Sequence, residues 1–154
     1  MSALVRASVL ALLLLAAAAA LACRSSGSGD GAAAGSKAAA PAGDAKTVSV
    51  TLSEWKLAAD PRAVAPGKVS FHVKNTGSQP HELVVYKSAA AADKLALSGA
   101  TVDEKKVAPL GRTATFDAGK SAELAVELSA GRYLLVCNIA GHYQLGMYAE
   151  FTVK

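Results

Sequence analysis

Aromatic residues are scarce in this 154-residue chain: there are eight, and none precedes Trp55. The first 46 residues, dominated by Ala, Leu, Gly and Ser, therefore lack the material of an ordinary core, which leaves residues 47–154 as one folded module. Cysteine is limited to Cys23 and Cys137, too few for a disulfide framework, and a bridge between them would only tether the low-complexity N-terminal region to the folded module. Lys and Arg outnumber Asp and Glu enough for a net charge of +4. They are scattered, and no basic stripe interleaved with aromatics offers a nucleic-acid surface. No apolar run reaches the roughly 20 residues of a membrane-spanning helix.

What the N-terminus does contain is the layout of an export signal over residues 1–22. Arg6 supplies the basic start, and Ala7 to Leu21 the apolar stretch, followed by small residues and Cys23. Ala20-Leu21-Ala22-Cys23 resembles a bacterial lipobox, with Leu two rather than three places before the cysteine. Lipidation of Cys23, and so a membrane anchor, is the expectation, with plain cleavage of the leader as the alternative. The destination is the bacterial cell envelope, on the periplasmic or extracytoplasmic side. Residues 23–46 are low in complexity and carry no apolar period, so they are expected to form a flexible, disordered tether. Cys137 is then an unpaired thiol in an oxidising compartment, a hazard unless something occupies it.

From residue 47 the pattern turns to period-two alternation, the signature of a sheet with one buried face. Val48, Val50 and Leu52 alternate with polar residues, as do Val69, Phe71 and Val73, and Ala122, Leu124, Val126 and Leu128. Gly131 opens Tyr133 to Cys137, and Met147 to Val153 closes the chain. Short strands punctuated by Gly, Pro and Asn predict an all-β sandwich of antiparallel strands. Residues 88–97, SAAAADKLAL, favour a short helix, and the 88–118 stretch reads as an insertion covering one end of the sandwich. Its DEKK run at 103–106 reads as a solvated loop. His72 alternates with inward residues and so points to solvent, and Trp55 is expected to pack in the core or at a strand end.

The chemistry concentrates near the C-terminus, where Cys137, His142 and Met147 follow C-x4-H-x4-M. A thiolate, an imidazole and a thioether from one loop suit copper if a second imidazole joins them. His81, preceded by Pro80, can provide it, giving a His2Cys set with a weak axial Met. Each residue alone has a duller explanation, as a buried thiol, a core filler or a loop histidine; their joint spacing outweighs it. Gly141 and Gly146 each precede a donor and permit tight turns there.

These motifs resemble the cupredoxins, the type 1 blue copper proteins of the plastocyanin and azurin superfamily. The likeness rests on the Asn75-Thr76-Gly77 turn leading to Pro80-His81, the Cys-His-Met loop, and Tyr133 at the start of the strand before Cys137. The four-and-four spacing is similar to that of rusticyanin, auracyanin and sulfocyanin. The resemblance implies a Greek-key β-sandwich holding one copper per chain. His81, Cys137 and His142 would be equatorial ligands and Met147 axial, all meeting at one end of the sandwich, clear of its hydrophobic core. Glu82 stands where plastocyanin and azurin usually have an Asn that ties the ligand loops together. Asn138 stands where azurins usually have Thr, and Val136 where plastocyanins carry Tyr.

The function implied is a one-electron carrier cycling Cu(II) and Cu(I), not an enzyme. It would be a monomer docking transiently with redox partner proteins near His142, whose exposed edge is the expected electron exit, in a surface loop with Tyr143, Leu145 and Gly146. The alternative is an envelope copper-holding or copper-delivery protein using the same donors. A catalytic second copper would need more histidines than His72, His81 and His142.

Overall fold

The computed structural model describes residues 45–154. The leader at 1–22, Cys23 and the tether as far as residue 44 lie outside the described residues. Lys46, read from sequence as the end of the tether, already pairs with Val69 in a sheet.

In chain order the strands are β1 (Lys46–Ser53), β2 (Lys56–Asp60), β3 (Ala63–Val64), β4 (Gly67–Asn75), β5 (Val84–Lys87), β6 (Leu97–Ser98), β7 (Thr101–Val102), β8 (Pro109–Arg112), β9 (Ser121–Leu128), β10 (Gly131–Val136) and β11 (Tyr148–Val153). One sheet runs β2-β1-β4-β9 and the other β3-β11-β10-β5-β8, while β6 and β7 form a separate hairpin. No helix occurs among the described residues, and so none is long and apolar enough to cross a membrane. The Glu54–Trp55 and Asp60–Pro61 peptides are cis.

The sheets are not wholly antiparallel: β1 pairs parallel with β4, and β11 with β3. Alternation reports that a strand has one buried face, not the direction of its neighbour. Here the β2–β3 segment carries the chain across before β4 returns alongside β1.

Val48, Val50 and Leu52 of β1, and Val69, Phe71 and Val73 of β4, point inward as their alternation requires. They join Val85, Tyr133, Leu135, Phe151 and Val153 of the facing sheet in one core. Phe71 meets Phe151 edge to face at 5.4 Å within it. Truncating a buried phenylalanine of this kind costs about 3–5 kcal/mol.

The second sheet is buried on both faces. Tyr133 and Leu135 face the main core, while Leu134 and Val136 join Val84, Tyr86, Leu95, Val102 and Tyr143 in a second apolar cluster. The 88–107 stretch thus covers the outer face of the five-stranded sheet rather than an end of the sandwich. That is why β5 and β10 read as continuous apolar runs, VVY and YLLV, instead of alternating.

The short helix expected over 88–97 does not form. Nucleating a helix fixes several residues for one hydrogen bond, and this segment has a better partner. The Tyr143 hydroxyl donates to Ala92 O at 2.7 Å and accepts from Leu95 N at 2.9 Å, so its backbone is satisfied by a side chain. The DEKK run is not merely solvated either. Glu104 accepts from Tyr86 Oη and from Asn138 Nδ2, both at 3.0 Å, and pairs with Arg112.

Candidate metal centre

His81 is set by its backbone. It exchanges two hydrogen bonds with Phe116, N to O at 3.1 Å and O from N at 2.9 Å. The approach to it is shaped by buried Asn75, whose Oδ1 accepts from Gly77 N at 2.9 Å. The Asn75 amide donates to Gln79 O at 2.7 Å and to Phe116 O at 3.3 Å. A polar side chain with these partners is compatible with complete burial. It holds the N-x-G turn against the strand end, which places the following histidine.

The other donors leave from β10 and return at β11. Cys137 and Met147 lie one residue beyond the strand ends, and Cys137 N donates to Met147 O at 3.0 Å, closing the loop at its base. Within the loop, His142 N reaches Ile139 O at 2.9 Å and Met147 N reaches His142 O at 3.1 Å. Gly141 and Gly146 have φ of 85° and 107°, left-handed values that cost a side-chain-bearing residue strain. The loop is therefore a chain of hydrogen-bonded turns, not a free excursion.

These supports bring three donors together. His81 Nδ1 and His142 Nδ1 are 3.2 Å apart, Cys137 Sγ is 3.4 Å from His142 Nδ1, and it is 3.8 Å from His81 Nδ1. All three residues are buried, and their donor atoms form a group able to hold a metal ion. A triangle with these edges has its centre about 2.0 Å from each corner, close to the length of a metal–imidazole bond and somewhat short for a thiolate. The donor set therefore fits one ion of imidazole- and thiolate-loving type.

Met147 is fully buried beside Cys137 in the main core cluster. Both sulfur residues thus belong to the hydrophobic core, whereas the sequence suggested a site clear of it. The site grows out of the core's end, so packing as well as hydrogen bonding fixes the sulfur side chains.

Burial pushes both imidazole pKa values down, and His81 in turn lowers that of His142. Neutral imidazoles are the form that ligates metals. Burial also raises the Cys137 thiol, opposed by the backbone amides of Glu82 and Ile139. A cation at the centre would reverse that preference by stabilising the thiolate.

Two residues at this end carried no functional signal in sequence. Glu54 and Trp55 form the β1–β2 turn, and both reach the metal loops. Glu54 Oε1 accepts from Ser78 N at 2.7 Å and Gln79 N at 2.8 Å, and stands 3.6 Å from His81 Nε2. Hydrogen bonds from its own amide and from Gln79 pull its pKa down to about 2. Trp55 lies edge to face with His142 at 5.0 Å. Its neighbourhood to the loop follows from the sheet order and could be found only from the fold.

The surface differs from expectation as well. His142 is only 7 % exposed, and Tyr143 turns inward to the second cluster. Trp55, 37 % exposed, and Leu145, 55 % exposed, are the large apolar side chains open to solvent here. Glu82 is buried, and burial raises its pKa. Asn138 accepts from Val102 N at 2.6 Å, which with its bond to Glu104 ties the cysteine's neighbour to the 101–104 segment. His72 faces outward as expected and meets Glu123 at 3.2 Å.

Comparison with known proteins yields a family match and a set of structural neighbours. A model of the sulfocyanin (SoxE) domain matches residues 63–154. Auracyanin B is similar in structure at 25 % identity and a TM-score of 0.55, covering 71 % of this chain and 89 % of its own. Auracyanin from Roseiflexus castenholzii is similar at 23 % identity and a TM-score of 0.53, covering 73 % of this chain and 99 % of its own. Rusticyanin from Thiobacillus ferrooxidans is similar at 19 % identity and a TM-score of 0.52, covering 71 % and 78 % respectively. No sequence among curated proteins matches. The common ground with the solved structures is the β-sandwich.

Proposed function

The chain belongs to the sulfocyanin (SoxE) family, a cupredoxin-type blue copper family, and from that premise we propose that it carries single electrons in the cell envelope. The observation that carries this reading is the buried triangle of His81 Nδ1, Cys137 Sγ and His142 Nδ1, sized for one ion. In this reading those three side chains hold copper equatorially, and Met147, fully buried next to Cys137, is the axial donor. When bound, the copper supplies a one-electron Cu(II)/Cu(I) couple.

The protein's part is to keep its ligands still and dry. Rapid electron transfer needs a geometry that suits both oxidation states, so a loop free to rearrange would slow it. The Cys137–Met147 closure and the Phe116 bridge to His81 are the features that resist rearrangement. Three histidines in the chain, one of them on the outer sheet face, supply no second metal group for bond chemistry. The reading is therefore an electron carrier and not an enzyme.

Partners would dock transiently where Trp55 and Leu145 reach solvent over His142. A small apolar patch of this kind suits brief encounters rather than a lasting complex. Attachment to the membrane through lipidated Cys23, with residues 24–45 as tether, would give the domain reach while keeping it near its partners.

The test is titration of the full-length protein with cupric ion, followed optically. One equivalent should produce an intense thiolate-to-copper band in the visible, and a reversible couple should follow. Cys137→Ala should remove the band while leaving a folded domain. Tight binding of copper without that band or couple would favour the copper-holding alternative.

A further inference from the structure

The imidazole of His81 has two nitrogens, and the metal group accounts for one. The other, Nε2, is completely buried and has no hydrogen-bond partner among the described residues. An orphaned buried nitrogen is costly and rare, and calls for an explanation. A polar atom stands just beyond hydrogen-bond distance of it: Glu54 Oε1, at 3.6 Å.

That carboxylate oxygen is not there by chance rotation. It is pinned by the amides of Ser78 and Gln79, in the loop leading into His81. Gly77 makes the approach possible, because a Cβ at that position would come within 2.4 Å of the same oxygen. Three successive residues, Gly77, Ser78 and Gln79, are thus arranged around one oxygen, which is aimed at the ring of His81.

We propose that Glu54 is the positioning residue for His81, holding the ring proton on Nε2 so that the Nδ1 lone pair faces Cys137 Sγ and His142 Nδ1. A neutral imidazole has one N–H and one lone pair. Were the proton on Nδ1, the Nε2 lone pair would face a carboxylate, and two acceptors would repel in a buried place. With the proton on Nε2, the carboxylate attracts it, and the free lone pair lies in the metal triangle. Ligating histidines commonly have their second nitrogen fixed this way by a carboxylate. Here that support comes from the β1–β2 turn, on the opposite sheet from Cys137 and Met147, and not from Glu82 beside the ligand. The fixed negative charge also favours Cu(II) over Cu(I), so it lowers the potential of the couple.

This second consequence rests on the copper reading; the tautomer does not. The test therefore has two arms on the full-length protein. In the first, nitrogen chemical shifts of ¹⁵N-labelled histidines are recorded without added metal. His81 should be the Nε2–H tautomer in the wild type, and Glu54→Ala should lose that bias. In the second, cupric ion is added and the midpoint potential measured. Glu54→Gln keeps an oxygen for Ser78 and Gln79 but removes the charge, and should shift the potential upward, a several-fold change in the Cu(II)/Cu(I) equilibrium. Glu123→Gln, which alters the exposed pair with His72, should leave both readings at wild-type values.

A wild-type His81 protonated on Nδ1 overturns the inference, as does a Glu54→Gln potential equal to wild type in protein that shows the blue band. Should copper give no blue band in wild type while the Glu54→Ala tautomer changes as stated, the copper reading fails and the role of Glu54 stands.

Discussion

His72 and Glu123 meet at 3.2 Å on the outer face of the four-stranded sheet, with side chains 50 % and 78 % exposed, whereas His81 and Glu54 stand 3.6 Å apart with the histidine fully buried. The first pair is the shorter, yet it has solvent on every open side and no third donor. Pairs of that kind contribute about 0–1 kcal/mol and little else. The second pair has Cys137 and His142 on its far side, and its carboxylate is tied to the backbone of the ligand loop. Distance between two groups does not make a site. Convergence of donors, removal from water and a fixed outer partner do.

The comparison can be broken most severely by deleting each histidine in turn. His81→Ala should abolish the visible copper band, and His72→Ala should leave its intensity and position unchanged, measured after adding one equivalent of cupric ion to each. Equal loss in both would mean that burial and convergence had not distinguished them. A subtler change probes the axial position. Met147→Gln should retain copper but lower the reduction potential, since a stronger oxygen donor favours Cu(II). A potential identical to wild type would remove Met147 from the coordination sphere.

Rigidity of the loop around His142 can be sharpened through its neighbour. Tyr143→Phe deletes the hydroxyl that serves Leu95 N and Ala92 O and leaves a buried amide without its partner. The expected cost is about 1–3 kcal/mol in urea unfolding, with the copper band preserved. Loss of the band instead would show that the 88–97 segment helps to shape the metal loop.

The smallest effect lies at alkaline pH. Burial, then the hydrogen bond to Glu104, raises the Tyr86 pKa above its ordinary value of 10.0. Above about pH 10 the unfolded chain loses this proton while the folded protein keeps it, so stability falls as pH rises. Tyr86→Phe should make that fall shallower by up to about 1.4 kcal/mol per pH unit, read from denaturant midpoints across the range. An unchanged slope would mean that this phenol does not control the alkaline limb.

Much of the fold was legible because alternation records burial directly. Val48, Val50, Leu52, Val69, Phe71 and Val73 point inward as their period demands. The three convergent donors were legible because two lie in one loop whose spacing carries the chemistry, and the third follows a recognisable turn. Glu54 and Trp55 were not, because a turn residue gives no sign of what a neighbouring loop will bring to it. Residues 88–97 misled for a related reason. Their alanines favour helix locally, but Tyr143, 48 residues after Leu95, supplies the hydrogen bonds that decide the outcome. The outer cluster of the five-stranded sheet was hidden in the continuous apolar runs of β5 and β10, which do not say what covers them.

The most direct measurement is electron paramagnetic resonance of the full-length protein loaded with one equivalent of cupric ion. A copper bound to Cys137, His81 and His142 should show the small parallel hyperfine splitting that results when unpaired spin spreads onto a thiolate sulfur. A wide splitting, typical of copper held by nitrogen and oxygen alone, would contradict a site built on the Cys137 sulfur.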